Sequence, residues 1–144
     1  MKQRVRAVLI TPDNHMLAIK RIRPGIAPYW VIVGGGVEES DPSHEAALLR
    51  EVREEIAGDA TIVRLLHKME NAKGEPEYFY LARIEAWDFE NRTGPEFARS
   101  DRGQYRLEEI PLTAEAIGAL NLLPEEISAV LRQALERGDL LTGV

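Results

Sequence analysis

The chain has 144 residues, of which 44 % are hydrophobic, and a formal net charge of −6 at pH 7. This length suits one domain with a single core, so we expect one domain over residues 1–144. The excess of acid opposes binding to polymeric nucleic acid, which requires a basic surface. The absence of cysteine excludes disulfides and thiolate metal sites.

The sequence contains no run of about eighteen apolar residues, and charges interrupt its first fourteen residues before a signal-peptide core develops. We therefore expect a cytoplasmic protein that does not associate with membranes. An acidic chain can still bind a small anionic substrate if metal cations lie between its carboxylates and the anion.

Short β-type runs predict strands over residues 5–10, 16–21 and 29–33. The first two flank a turn-rich segment and predict a hairpin. The third ends at three consecutive glycines, which indicate a change of structure at residues 34–36.

A helix is predicted from Asp41-Pro42 to Ala57, since aspartate can cap a helix and proline suits its first position. Gly58 is suited to a left-handed C-terminal cap. Apolar residues at spacings of three and four predict one buried stripe, formed by Ala46, Leu49, Val52 and Ile56.

The second half of the chain predicts strands over residues 61–66 and 78–84, joined by a loop at 71–76. Residues 88–103 have no clear period and predict a long loop that could act as a lid or contact substrate. A second helix is expected to begin near Pro124 and to end at Gly138. This order of elements favours an α+β sandwich with a mixed or antiparallel sheet.

The first helix carries an acidic cluster. Glu51 lies three and four residues before Glu54 and Glu55, so the three side chains share one region of the helix surface, about 5–6 Å apart at Cβ. Hard oxygen ligands of this kind are what Mg²⁺ or Mn²⁺ prefers, although a solvated acidic face would show the same spacing. Charge alone leaves both interpretations open.

The strand, the glycines and the acidic helix together resemble the Nudix box, which covers residues 34–58. The segment Arg50-Glu51-Val52-Arg53-Glu54-Glu55 agrees with the densest part of the box pattern. The resemblance implies a Nudix-like α/β/α sandwich with a mixed sheet and the box helix packed on it. It also implies a hydrolase that cleaves a phosphoanhydride bond.

The segment departs from the box pattern at three places. Counting from Gly35, the first box glutamate falls on Asp41, and eight residues rather than seven separate it from Arg50, which indicates an insertion where the helix starts. The last box glycine falls on Ala57, and Val33 precedes the glycines where the family often has proline.

The resemblance implies roles for the box residues. Glu54 and Glu55 are the expected metal ligands, Glu51 a ligand or the general base, and the carbonyl of Gly34 a further contact to Mg²⁺ or Mn²⁺. Arg50 is expected to orient the glutamates or simply to form an intrahelical ion pair.

Outside the box the family often supplies another acid from a later loop, for which Glu96 is the candidate and Asp101 the second choice. Arg21 and Arg23 are candidates for binding substrate phosphates. We assign no role to the histidines, because they match no metal-ligand spacing. Trp30, Tyr78 and Tyr80 could stack on a base, but their positions in predicted strands fit core packing better.

Two other functions remain open: a Nudix-fold module that binds a nucleotide without cleaving it, and an isomerase on the same scaffold. The complete set of box glutamates favours hydrolysis. The substrate is expected to be a nucleoside diphosphate linked to another moiety, including nucleoside triphosphates and ADP-ribose-like compounds. Dimers are common in the family, so a homodimer is compatible with the resemblance.

Overall fold

The computed structural model describes residues 2–93 and 103–140. Its strands are β1 Arg4–Ile10, β2 His15–Ile22, β3 Tyr29–Val31, β4 Val33–Gly36, β5 Asp59–Glu70, β6 Pro76–Ala86, β7 Gln104–Pro111 and β8 Leu122–Leu123. Its α-helices are α1 His44–Ile56, α2 Ala114–Gly118 and α3 Glu125–Glu136. None of the helices in this part of the chain has the length and apolar character needed to cross a membrane.

The strands form one mixed sheet in the order β5-β6-β1-β2-β3-β8. Strand β1 runs parallel to β6 and pairs antiparallel with β4 over Arg4 to Ala7, whereas its last two residues pair with β2. Strand β7 pairs with β2 along its whole length. The sheet therefore forks, and this fork places the glycine-rich β4 beside the first half of β1.

Helices cover both faces of the sheet. Side chains alternate between the two faces along each strand, so one strand contributes to both cores. On β1, Val5, Ala7 and Leu9 belong to the core with α1, whereas Val8 and Ile10 belong to the core with α2 and α3. The helix side of the first core is Ala47, Leu48, Val52 and Ile56; that of the second is Ile117, Ile127, Leu131 and Ala134. These two cores confirm the expected α+β sandwich with the box helix packed on a mixed sheet.

Helix α1 begins two residues later than predicted, at His44. Ser43 is its N-cap, with Oγ accepting a hydrogen bond of 3.0 Å from the amide of Ala46. The prediction that Asp41 caps the helix was wrong, because its carboxylate binds the amide of Glu38 and the side chain of Arg50 instead. Asp41 thus forms an ion pair with Arg50 instead of capping the helix.

The predicted apolar stripe of α1 was half right. Val52 and Ile56 are fully buried, but Ala46 and Leu49 are only half-buried. The fully buried positions in the first turns are instead Ala47 and Leu48. Leu48, Val52 and Ile56 follow one another at spacings of four, so they form one continuous ridge against the sheet.

The C-terminal end of α1 also differs from the prediction. Ala57, rather than Gly58, adopts the left-handed conformation, with φ 50° and ψ 45°. The last helical carbonyls, which lack partners within a helix, accept hydrogen bonds from a remote segment. Asp88 donates its amide to the carbonyl of Ile56 and Thr93 to that of Glu54, at 3.1 and 2.8 Å. The segment around the 3-10 turn Phe89–Asn91 is thereby fastened to the box helix.

Other predicted elements differ from the structure in extent. The glycines at 34–36 lie within β4 rather than ending a strand, and β5 and β6 extend two to four residues beyond each predicted end. Helix α3 agrees with the predicted second helix. Strands β7 and β8 and helix α2 were not predicted.

Candidate active site

Strand β4 and helix α1 face each other at close range. The amide of Gly34 donates a hydrogen bond of 2.6 Å to Oε1 of Glu55. A Cβ atom at Gly35 would lie 2.6 Å from the carboxylate of Glu51, and one at Gly34 would lie 2.1 Å from the carbonyl oxygen of Val5. Only residues without a side chain permit this approach, so the glycines set the distance between the strand and the helix acids.

Arg50 is the central cation of the site. Its Nη1 donates to Oε1 of Glu51 at 3.1 Å and to Oε2 of Glu54 at 2.9 Å. Its Nη2 donates to the carbonyl of Gly36 at 3.0 Å, and its Nε and Nη2 bind the two oxygens of Asp41 at 2.9 and 2.8 Å. One guanidinium thus joins β4, the loop that follows it and two of the predicted ligands on α1.

The electrostatics of the pair between Asp41 and Arg50 are strong. The hydrogen bonds from Arg50 lower the pKa of Asp41 to about 2, and the Asp41 carboxylate in turn raises the pKa of Arg50 above its usual value. The Asp41 side chain is only 6 % exposed. Asp41 therefore stays ionised at neutral pH and fixes the guanidinium.

The helix acids remain accessible from solvent. The side chains of Glu51 and Glu54 are 13 % and 27 % exposed. Their carboxylate oxygens are the donor type that Mg²⁺ and Mn²⁺ prefer, so the residues fit such an ion chemically. Within residues 2–93 and 103–140, however, no group of three histidine, aspartate or glutamate side chains is arranged to hold an ion. Arg50 lies between Glu51 and Glu54, while Glu55 turns to Gly34.

The predicted residues outside the box have different surroundings. Arg21 stacks on the ring of Tyr105, with its guanidinium carbon 3.8 Å from the ring centroid. Arg23 is exposed just beyond the end of β2. The candidate acids Glu96 and Asp101 lie outside the described residues.

The histidines have partners away from the box acids. His15 lies 3.6 Å from Glu109, and His67 pairs with Glu126 at 2.6 Å. His44 contacts the side-chain oxygen of Gln3 and packs against the ring of Tyr78. These contacts connect elements of the fold.

The aromatic side chains left without a role have packing contacts. Tyr80 is buried, whereas Trp30 and Tyr78 are half-buried against the two cores. The indole of Trp30 donates to Oε1 of Glu108 at 2.8 Å, which satisfies its one polar group. These positions agree with the expectation of core packing.

Sequence reasoning missed several contacts that shape the site. The carbonyl of Gly36 accepts from Arg50, and the amide of Thr93 binds the backbone of Glu54. Backbone groups leave no residue-type signal, so only the folded structure reveals them. The close approach of Glu51 to Gly35 had an indirect signal in the run of glycines.

The family of the chain follows from comparison of its sequence with family profiles. The NUDIX domain profile matches residues 1–126. The chain belongs to the NUDIX domain family. This membership confirms the expectation of a Nudix-type enzyme, a pyrophosphohydrolase acting on acid anhydrides. No curated protein matches the chain.

Solved structures support the same fold for this Nudix protein. The NUDIX hydrolase from Nitrosomonas europaea superposes with a TM-score of 0.70 at 17 % identity, over 96 % of this chain and 90 % of the other. The E. coli ORF135 protein gives 0.65 at 21 % identity, over 100 % and 94 %. A C. elegans Ap4A hydrolase gives 0.67 at 15 % identity, over 94 % and 99 %.

Proposed function

We propose that this Nudix protein hydrolyses a phosphoanhydride bond in a nucleoside diphosphate linked to another moiety, such as a nucleoside triphosphate, with the help of Mg²⁺ or Mn²⁺. The observation that supports this most directly is the cluster on α1. Arg50 contacts both Glu51 and Glu54, all three side chains are partly exposed, and Glu51 lies against Gly35 of the glycine strand.

In this proposal Glu54 and Glu55 hold the metal, with the carbonyl of Gly34 as a further contact. Glu96, beyond the described residues, is the proposed additional acid. When bound, the metal would neutralise the phosphate oxygens and lower the pKa of the attacking water. Helix α1 supplies the rigid element that positions its acids, because three of its residues are locked into the core at Leu48, Val52 and Ile56.

Glu51 is either a further ligand or the base that accepts a proton from water. Its carboxylate lies against Gly35, where a Cβ atom would come within 2.6 Å of it. A base must come within hydrogen-bond reach of the proton it removes, and the partial exposure of Glu51 allows this. Arg50 is proposed to orient Glu51 and Glu54 through its Nη1 contacts.

The proposed chemistry is in-line displacement at one phosphorus, which depends on positioning and charge and requires no covalent protein intermediate. Arg21 and Arg23, at the end of β2, are proposed to bind substrate phosphates. Arginine suits that task because its guanidinium can donate two parallel hydrogen bonds to one phosphate.

The proposed substrate is a chemical class, nucleoside diphosphates linked to another moiety, and an assay must identify the member that is cleaved. One structural neighbour is named as an Ap4A hydrolase, but at 15 % identity this likeness extends to the fold alone. A suitable panel contains nucleoside triphosphates, oxidised nucleoside triphosphates, dinucleoside polyphosphates, ADP-ribose and nucleotide sugars, each assayed with Mg²⁺ and with Mn²⁺.

Product identification is the test of the proposal. Hydrolysis predicts that cleavage yields a nucleoside monophosphate together with a phosphorylated second product, and that excess EDTA abolishes it. Undiminished turnover in EDTA would exclude the metal-assisted mechanism. Metal binding without cleavage of any compound would support the nucleotide-binding module instead, and a rearranged product without hydrolysis would support the isomerase.

A further inference from the structure

The two sides of the Arg50 guanidinium have different partners. Nε and Nη2 bind Asp41 and the carbonyl of Gly36, which belong to β4 and to the loop that follows it. Nη1 binds Glu51 and Glu54 on the helix. One side of the guanidinium is therefore anchored outside the helix, and the other neutralises two of the acids proposed to hold the metal.

The charges are not balanced. Asp41, Glu51, Glu54 and the more distant Glu38, at 3.7 Å, carry four negative charges when ionised, whereas Arg50 carries one positive charge. Like charges at spacings of three on a helix repel each other, and Nη1 relieves that repulsion between Glu51 and Glu54. A divalent cation placed between the same two carboxylates would do so with twice the charge.

Nη1 lies 3.1 Å from Oε1 of Glu51 and 2.9 Å from Oε2 of Glu54, in the space that a cation shared by these two oxygens would occupy, and its positive charge repels such a cation. On the basis of the proposed function, we infer that Arg50 and the divalent cation compete for Glu51 and Glu54, and that Asp41 is the positioning residue that retains the guanidinium when the cation takes those carboxylates. Arg50 thus lowers the metal affinity of the helix acids.

Asp41 is well placed for this role. It contacts the side of the guanidinium opposite Nη1 with two hydrogen bonds, and it is the least exposed acid among the partners of Arg50. Its own position is fixed locally, because it accepts from the amide of Glu38 at 2.8 Å and donates its amide to the Glu38 carbonyl at 3.0 Å. Asp41 can therefore hold Nε and Nη2 in place while Nη1 changes partners.

The test measures Mn²⁺ affinity by calorimetry rather than activity. Arg50→Gln removes the competitor, so Mn²⁺ should bind at least about fivefold tighter than to the wild type, while turnover falls. Asp41→Asn releases the guanidinium to Glu51 and Glu54, so Mn²⁺ should bind several-fold more weakly. In the Arg50→Gln background, Asp41→Asn should change Mn²⁺ affinity less than about twofold, because there is no guanidinium left to position.

A charge-matched control is Arg137→Gln, which breaks an ion pair of 2.8 Å with Asp139 next to α3 and should leave Mn²⁺ affinity unchanged. If Arg50→Gln does not fold without metal, Arg50→Lys serves instead, since a lysine ammonium cannot reproduce the planar fork and should also bind Mn²⁺ more tightly than the wild type. Weaker Mn²⁺ binding to the Arg50 variant that folds would overturn the inference.

The outcomes also separate this inference from the proposed function. Tighter Mn²⁺ binding to Arg50→Gln without cleavage of any compound by the wild type would support the competition and contradict the hydrolase. Normal metal-dependent cleavage with weakened Mn²⁺ binding to Arg50→Gln would support the hydrolase and overturn the competition. A wild type that binds no Mn²⁺ would overturn both.

Discussion

Asp41 and Arg50, nine residues apart in sequence, are joined by two hydrogen bonds of 2.9 and 2.8 Å between a nearly buried carboxylate and a guanidinium. The pair connects the loop after the glycine strand to the helix that carries the proposed metal ligands. Local sequence signals favoured Asp41 as a helix cap, but the ion pair determines its position.

The pair makes stability depend on pH in acid. Arg50 lowers the pKa of Asp41 from 3.8 to about 2, so the folded protein binds fewer protons at this group than the unfolded chain does. The stabilisation is complete above about pH 5 and is lost as the pH falls from about 4 towards 2. Asp41→Asn should therefore lower the unfolding free energy by about 2 kcal/mol at pH 7, and by progressively less as the pH falls through this range.

Urea denaturation between pH 2 and 7 measures this effect. Asp139→Asn is the control, because its ion pair with Arg137 is exposed and should contribute less than about 1 kcal/mol. A stability difference between wild type and Asp41→Asn that stays constant down to pH 2 would contradict the assigned role of the pair.

Ala57 is strained by its left-handed backbone at the end of α1. Glycine adopts this conformation without the steric cost of Cβ, so Ala57→Gly should raise the unfolding free energy by about 1 kcal/mol. The same substitution at Ala46, inside the helix, should lower it by about 1 kcal/mol. Thermal unfolding of both variants checks the sign. Destabilisation by Ala57→Gly comparable to that by Ala46→Gly would contradict the assigned conformation.

Gly34 and Gly35 should respond differently to substitution by alanine. A Cβ at Gly34 would meet the backbone of β1 at 2.1 Å, so Gly34→Ala should disrupt the fold. The atoms nearest to a Cβ at Gly35 belong to the carboxylate of Glu51, which can move, so Gly35→Ala should displace that side chain and reduce kcat with a smaller loss of stability. Denaturation and steady-state kinetics of the two variants measure these effects on stability and on kcat. Equal loss of stability in both variants would contradict the predicted difference.

Much of the fold followed from the sequence because its signals were local and periodic. The strands near residues 5–10 and 78–84 and helix α3 have apolar patterns that match their buried faces, and the box helix matches at Val52 and Ile56. Strand β7 was missed although Tyr105 and Leu107 alternate with polar residues, because the alternation stops at Glu108-Glu109 and only Ile110 in the strand is fully buried. Its position depends on pairing with β2, a contact that no local pattern encodes.

The candidate site was predictable in part for the same reason. Helical spacing brought Glu51, Glu54 and Arg50 together, and the structure places them in contact. The spacing did not show that Arg50 lies between the two acids, nor that Glu55 turns towards Gly34. Those contacts depend on the distance between β4 and α1, which is a property of the assembled fold.

The central claim is that the carboxylates of Glu54 and Glu55 hold the metal, and kcat of their glutamine variants tests it most directly. Glutamine keeps the size and helix propensity of glutamate but removes the charge. On a substrate verified for the wild type, with Mg²⁺ saturating, kcat of Glu54→Gln and of Glu55→Gln should fall by about 100-fold or more. Glu45→Gln, an equal change at an exposed position in the first turn of the same helix, should keep wild-type kcat. Wild-type kcat in the Glu54 and Glu55 variants would contradict the account and leave these acids as a solvated helix face.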